Sequence, residues 1–455
     1  MIVLSSIQLL LVGLGLAYFL AMTASGLWYW ARATKTPPGT AAETGETPQA
    51  VYVLIPCLNE EQVIAATVRG ALADPRARVI VVDDASDDGT GARAREAATL
   101  AGAGGRLTVH RRDLPQARQG KGPALNAGYH LIEQDVRRRA LDPDQVVVCV
   151  MDADGRLSDG ALDAVLPLFE DPRVGGVQLA VRIRNRTTWL TRIQDVEFWA
   201  LSGISQFGRV RTGTVSLGGN GQFTRLSALR SVGERPWAAA LTEDLELALE
   251  LAIAGWRLTT TPHAHVDQQA LTSLRALVRQ RTRWFQGHMT AMRHAPRIWT
   301  SPRIGHAASL ELLLYLLVPW LLVLPWSVVF HLSLAAVVVS MGEHGGWSTI
   351  ALEPGAHLQS LALWYCLSFS PNLATAFLYR RRDRTVNPIT ALVLGHLLIP
   401  ANYIAYTACW RATLRMLRGR TGWAKTARVS ERALTAVPLP AQHGAGRPAG
   451  RKETA

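Results

Sequence analysis

Cysteines and charges are scarce in this 455-residue sequence, and the glycine signatures of the common nucleotide folds are missing. Its four cysteines, Cys57, Cys149, Cys366 and Cys409, form no Cys-x-x-Cys pair and lie in apolar runs. That excludes a zinc ribbon and a dithiol redox centre, and leaves small buried residues in a reducing compartment. No Gly-x-Gly-x-x-Gly follows the first strand-like segment, which argues against a dinucleotide enzyme, and Lys121 lacks the spacing of a P-loop. Charged residues make up only 18% of the chain against 48% hydrophobic. The deficit is local: Met1 to Ala31 holds no charge, and 308–341, 357–379 and 388–410 are almost uncharged. Each of these runs meets the roughly 20 apolar residues that cross a bilayer.

The charge that remains is basic, +13 net, and much of it falls in Arg-rich segments beside the apolar runs, at 275–303, 380–384 and 411–428. Such placement suits an anionic membrane face, and with no nucleic-acid-binding motif present no nucleic-acid partner is expected. The first run has no basic leader and is too long for a signal core, so 1–31 reads as an uncleaved anchor. Arg32 and Lys35 follow it, which puts the rest of the chain in the cytoplasm by the positive-inside rule. Residues 32–49, rich in Pro, Thr, Gly and Glu, read as a flexible linker.

From residue 51 strands and helices alternate, the pattern of a parallel sheet with helices on both faces. Strands are expected at 51–55, 78–82, near 106–111 and at 146–152, with helices over about 59–73, 88–102 and 122–138. Two of these strands end in carboxylates: Asp83 and Asp84 after one, Asp152 and Asp154 after the other. Ligands of open α/β sheets bind at the carboxyl ends of the strands. Acids gathered there repel one another unless a cation sits between them, and a divalent metal carrying a diphosphate meets that need. Taken singly, either cluster reads equally as a cap or a solvated turn.

Further motifs follow in order. Lys121, flanked by Gly120 and Gly122 at a helix start, suits close approach to a phosphate or base. The segment 189–212 has apolar residues at helical spacing, for core packing or for a helix on the bilayer surface. Gly218, Gly219 and Gly221 permit a close backbone approach. Thr242, Glu243 and Asp244 open an apolar-periodic helix, so that Asp244 is a helix-dipole partner or a general base. Within a helical pattern over 271–295, Gln280, Arg283 and Trp284 fall at i, i+3 and i+4 and share one face. An amide, a guanidinium and an indole on one stripe can bond a sugar, clamp a phosphate and stack on a pyranose.

This ordered series, with its apolar flanks, resembles the membrane-embedded family 2 glycosyltransferases such as cellulose, hyaluronan, poly-N-acetylglucosamine and chitin-oligosaccharide synthases. The resemblance spans roughly 50–430. It implies an α/β, GT-A (Rossmann-like) cytoplasmic domain over 50–300, with transmembrane helices on both sides and transmembrane or interface helices over 301–417. Pro56 and Glu60 match the first nucleotide-binding turn, Asp83 and Asp152 would contact uridine, and Lys121 joins the donor site. Asp154, with Asp152, would hold Mg2+ or Mn2+. Asp244 would deprotonate the acceptor, Arg283 would face the diphosphate, and Gln280 with Trp284 the acceptor sugar. Trp423, Lys425, Thr426 and Arg428, within 418–432, look like a gating loop, and 433–455 like a disordered tail.

The implied activity is an inverting, processive synthesis of a β-linked polysaccharide from a UDP-sugar in the plasma membrane. The alternative is a single addition to a membrane lipid such as diacylglycerol or a polyprenyl phosphate, and a non-catalytic scaffold is the third class. The glycine-rich 217–223 departs from hyaluronan and chitin synthases and looks closer to members that glucosylate a polymer or a lipid. The C-terminal spans fit one crossing at 308–341 and one at 357–379. Residues 388–417 must then enter and return, with a break at Pro400, or lie on the surface.

Overall fold

The protein is described by a computed structural model over residues 2–36, 48–343, 354–420 and 422. Helix α1 (Ile2–Ala33) precedes the α/β domain. There β1 (Ala50–Cys57), α2 (Ile64–Leu72), β2 (Ala77–Asp83), α3 (Thr90–Leu100), β3 (Leu107–Arg111), α4 (Lys121–Arg138) and β4 (Val146–Val150) alternate as expected. After β5 (Arg156–Leu157), α5 (Ala161–Val165), β6 (Val174–Gln178) and β7 (Ala180–Ile183), the chain turns helical. Helix α6 (Trp189–Asp195) passes through a π turn at Val196–Ser202 into α7 (Gly203–Gly208). Then come β8 (Gln222–Arg225), α8 (Leu226–Val232), α9 (Glu243–Ile253), β9 (Arg257–Thr259), β10 (His265–Gln268) and α10 (Leu274–Thr290).

The main sheet has the order β3-β2-β1-β4-β8-β6-β9, and a small second sheet runs β5-β10-β7. The expectation of a wholly parallel sheet fails at β8, which is antiparallel to both β4 and β6. Gln222 pairs with Val150, so β8 starts at the carboxyl edge where β4 ends. The chain reaches that edge from α7, on the cavity side, and four residues carry no signal of direction.

Alternation along the strands sends neighbouring side chains to opposite faces. Val53, Ile55, Val81 and Cys149 pack under α2 and α3, with Ile64 and Val68. Leu54, Val82, Val148 and Val150 pack under α4, with Leu125, Tyr129 and Ile132. Each such side chain contributes about 1.5–3 kcal/mol on burial. Both faces are therefore closed, and a ligand is left the carboxyl edge.

Beyond α10, α11 (Ala295–Thr300) leads to α12 (His306–Val318), a π turn at Pro319–Val323 and α13 (Leu324–Glu343). This is one helical run, in keeping with the single crossing expected at 308–341. Two further helices cover Pro354–Arg382 and Pro388–Leu417. By length and composition, His306–Leu332 and Pro388–Leu417 are long and apolar enough to cross a membrane.

The expected break at Pro400 is absent, since Pro388–Leu417 runs through it unbroken. A proline is tolerated inside a helix when neighbouring helices support it. Here Cys409 and Ala412 pack on Met289, and Ile404 joins the cluster of Leu277. Arg415 donates to Gln286 Oε1 of α10 at 2.7 Å, and Gln286 donates to the Arg420 carbonyl at 2.6 Å. In the turn between the two helices, Asp383 is held by Arg182 (2.5 Å) and Arg186 (2.8 Å). The C-terminal half of the helix and the turn before it are thus tied to the α/β domain. Residues 37–47 of the linker, the side chain of Cys366, the tail, and Trp423, Lys425, Thr426 and Arg428 lie outside the described residues.

Helix α1 is docked against the domain. Ser25 Oγ donates to the Gly208 carbonyl, Tyr29 to the Thr260 carbonyl and Tyr18 to Glu311 of α12. Glu311 also pairs with Arg209 at 2.8 Å, and both side chains are almost fully buried. Removing one partner of such a pair leaves an uncompensated charge, at a cost of about 3–5 kcal/mol. Glu311→Gln is therefore expected to lower the thermal unfolding midpoint of the detergent-solubilised protein far more than Tyr18→Phe does; equal small shifts would contradict the pairing.

Candidate active site

A cavity of about 440 Å³ opens at the carboxyl edge of the main sheet. The sheet contributes Pro56, Glu60, Asp152 and Asp154 to it, α4 contributes Lys121, α9 Asp244, and α10 Gln280, Arg283 and Trp284. Residues from five separate stretches of sequence thus face one space.

Asp83 does not reach it. Only 3% exposed, it accepts from the Ser86 amide at 2.9 Å and pairs with Arg111 at 3.1 Å, so it shapes the turn after β2. Its neighbour Asp84 borders the cavity instead, held by Arg112 at 2.5 Å and the Arg118 amide at 3.0 Å. Successive residues at a strand end point opposite ways, and the sequence does not say which one faces the ligand.

Lys121 is the cation among the acids. As the first residue of α4, its Nζ lies 2.6 Å from Asp152 Oδ1, 2.8 Å from the Gly219 carbonyl and 3.7 Å from Glu243. Burial works against its charge, but Asp152 and Glu243 outweigh burial and lift its pKa above the usual lysine range. Gly219 has φ +65°, and a Cβ there would sit 2.9 Å from Lys121 Nζ and 3.0 Å from Asp244 Oδ2. Glycine is the residue that both takes that conformation and leaves the lysine room.

Glu243 and Asp244 start α9. Burial, then the adjacent Asp244, raises the pKa of Glu243. Burial also raises Asp244, opposed by Lys121 and Arg283. A carboxylate whose pKa burial raises, in a cleft with two cations beside it, is suited to take a proton.

On α10 the expected stripe is in place, and it is supported by residues the motif did not single out. The Arg281 guanidinium lies 4.2 Å from the centroid of the Trp284 ring and pairs with Glu197 at 2.7 Å. Phe198, from the π turn, meets Trp284 edge-on at 6.1 Å. These contacts orient the indole. His288, one turn beyond Trp284, and Tyr315 of α12 also line the cavity. Extending the stripe by four residues would have found His288; Tyr315, in an apolar run, carries no sequence signal.

For a metal, the donors are the carboxylates of Asp152 and Asp154 at the cavity wall. One oxygen of Asp154 accepts from the Gln269 amide at 2.9 Å, which fixes its orientation. Hard oxygen donors of this kind fit Mg2+ or Mn2+. No group of three or more His, Cys, Asp or Glu that could hold a metal occurs among the described residues. A cation here would complete its shell with diphosphate and water oxygens, as Mg2+ commonly does.

An α/β sheet with its acids at the carboxyl edge is the plan of a GT-A glycosyltransferase. The solved structure of mannosyltransferase PcManGT from Pyrobaculum calidifontis, in complex with GDP-Man and Mn2+, superposes with a TM-score of 0.52 at 21% identity, covering 90% of this chain and 99% of that one. Residues 48–287 match Glycosyltransferase like family 2, and the chain belongs to that family. Beta-monoglucosyldiacylglycerol synthase of Trichormus variabilis is 30% identical over 293 residues, 63% of this chain and 58% of that protein. Its counterpart in Synechocystis sp. is 32% identical over 289 residues, 62% and 56% of the two chains. Poly-beta-1,6-N-acetyl-D-glucosamine synthase of Staphylococcus aureus is 29% identical over 245 residues, 52% and 54%. The chain thus spans a little over half the length of these curated relatives.

Asp244→Asn is expected to lower turnover by 10²–10⁴ while UDP, titrated calorimetrically, binds within about twofold of wild type. A variant retaining more than about a tenth of the wild-type rate would show that another group takes the proton.

Proposed function

We propose that the protein moves a hexose from a UDP-sugar to a hydroxyl of a membrane lipid, in one inverting displacement at the cytoplasmic face. The observation that carries this is where the cavity ends. It runs from the sheet edge to Tyr315 of α12, part of the apolar run His306–Leu332, so its acceptor end lies against a helix suited to a bilayer. Arg32 lies over Trp28 at 4.6 Å and Arg381 over Trp30 at 5.8 Å, pairing aromatic with cation as at a membrane–water interface. Two of the relatives carry a lipid product in their names.

The chain's groups divide the work. The Lys121 ammonium and Arg283 offer positive charge to a diphosphate beside Asp152 and Asp154. A divalent cation on those two acids, when bound, stabilises charge on the departing UDP. Asp244 receives the proton of the attacking hydroxyl as the new bond forms, and one displacement turns an α-linked donor into a β-linked product. Asp84 and Pro56, at the sheet end of the cavity, are placed for the nucleoside.

Processive polymer synthesis is the second reading, and Trp284 favours it, because an indole can hold a sugar without fixing its register. Arg281 against that indole leaves less of it for a glycan. The test is to incubate membranes holding the protein with a panel of radiolabelled UDP-sugars and partition the products. Label in organic-extractable lipid, one sugar per molecule, is the expected outcome. Label in a large water-soluble or insoluble polymer would overturn the lipid reading in favour of the second.

A further inference from the structure

The stripe of α10 that faces the cavity does not stop at Trp284. His288 continues it, and its surroundings fix what it can do. His288 Nε2 lies 2.8 Å from the Tyr315 backbone carbonyl, and the two rings are 4.7 Å apart. A carbonyl oxygen can only accept, so Nε2 carries the hydrogen and Nδ1 is left with its lone pair.

The reason for this pairing is in the sequence of α12. Residue 319, four places after Tyr315, is proline, which has no N–H to close that carbonyl's helical hydrogen bond. A buried carbonyl without a donor is costly, and the imidazole supplies the hydrogen. The Arg209 guanidinium, 3.8 Å from the Tyr315 ring centroid, covers Tyr315 in turn. Burial, with Arg209 adding to it, lowers the His288 pKa to about 4, so the ring stays neutral and the tautomer is set. No partner for Nδ1 occurs among the described residues, and Nδ1 is not among the fully enclosed unpaired atoms, so it opens on the cavity that His288 lines.

We propose that His288 is a positioning residue that accepts, through Nδ1, a hydrogen bond from a second hydroxyl of the acceptor, distinct from the one that attacks. The proposal rests on the transferase reading and narrows its acceptor. A group that can only accept cannot hold an ester carbonyl or a phosphate oxygen. The one hydroxyl of a diacylglycerol is already committed to Asp244. The acceptor that satisfies both groups carries a polyol head, as a glycosylated lipid does. Gln280 and Arg283, which face the same cavity, offer donors to the remaining oxygens of such a head.

The test compares two acceptors with the same tail, dioleoylglycerol and glucosyl-dioleoylglycerol, using the full chain in detergent and the UDP-sugar it accepts. Wild type should prefer the glucosylated lipid by about tenfold in kcat/KM, carried by the acceptor KM. His288→Ala should lose that preference, but it also strips the Tyr315 carbonyl of its donor. In the double variant His288→Ala with Pro319→Ala, the new amide at 319 closes the helix bond while Nδ1 stays absent. This variant should regain the unfolding midpoint of wild type, keep the donor KM and still show no preference; Pro319→Ala alone should keep the preference. A double variant that discriminates like wild type, or a wild type without preference, overturns the assignment. If label enters polymer instead, the lipid reading fails and His288 is judged on a glycan primer. The double variant must then raise the primer KM about tenfold, and an unchanged primer KM sinks the proposal.

Discussion

The structure depends on one electrostatic constraint, the convergence of carboxylates at the carboxyl edge of the sheet. Asp152, Asp154, Glu243 and Asp244 all line one cavity, and low-dielectric surroundings make their repulsion expensive. Lys121 answers it from the first turn of α4, reaching Asp152 after β4 and Glu243 at the start of α9. Much of the local architecture makes room for that ammonium. Gly120 ahead of α4 has φ +119°, and the bare backbone of Gly219 lets its carbonyl meet Nζ. Asn220 then accepts from the Asp152 amide at 3.1 Å, tying the glycine loop to the turn that carries the acids.

A second set of buried polar contacts joins the α/β domain to the apolar helices. Tyr18, Arg209 and Glu311 bring α1, the end of α7 and α12 together, while His288 and Tyr315 link α10 to α12. The active cavity and the helices suited to a membrane therefore share walls. Movement of α12 would move Tyr315 and His288 with it, which makes that end of the cavity sensitive to how the helix is seated.

Much of this was legible in the sequence, for reasons that can be named. Hydrophobic runs ending in Asp gave β2 and β4, and the i, i+3, i+4 spacing gave the shared face of Gln280, Arg283 and Trp284. What was not legible depended on long-range placement. The reversed direction of β8 follows from where the chain re-enters the sheet. The exchange of Asp83 for Asp84 at the cavity turns on a one-residue difference in orientation. The unbroken helix through Pro400 needs the packing of Met289 and Cys409 to be known. His288 has meaning only beside the Tyr315 carbonyl, 27 positions away in sequence and one hydrogen bond away in space, which Pro319 leaves without a helical donor.

Lys121 joins Asp152 and Glu243 in one ionic cluster at the mouth of the sheet. The most direct measurement is kcat/KM for sugar transfer by Lys121→Met, a substitution that keeps the length and removes the charge. Losing one preorganised charge beside the reacting groups costs about 10²–10³ in rate, so kcat/KM should fall by that factor while the protein stays folded by circular dichroism. A folded Lys121→Met protein within about twofold of the wild-type value would contradict the account, because repulsion among Asp152, Glu243 and Asp244 would then need no cation from α4.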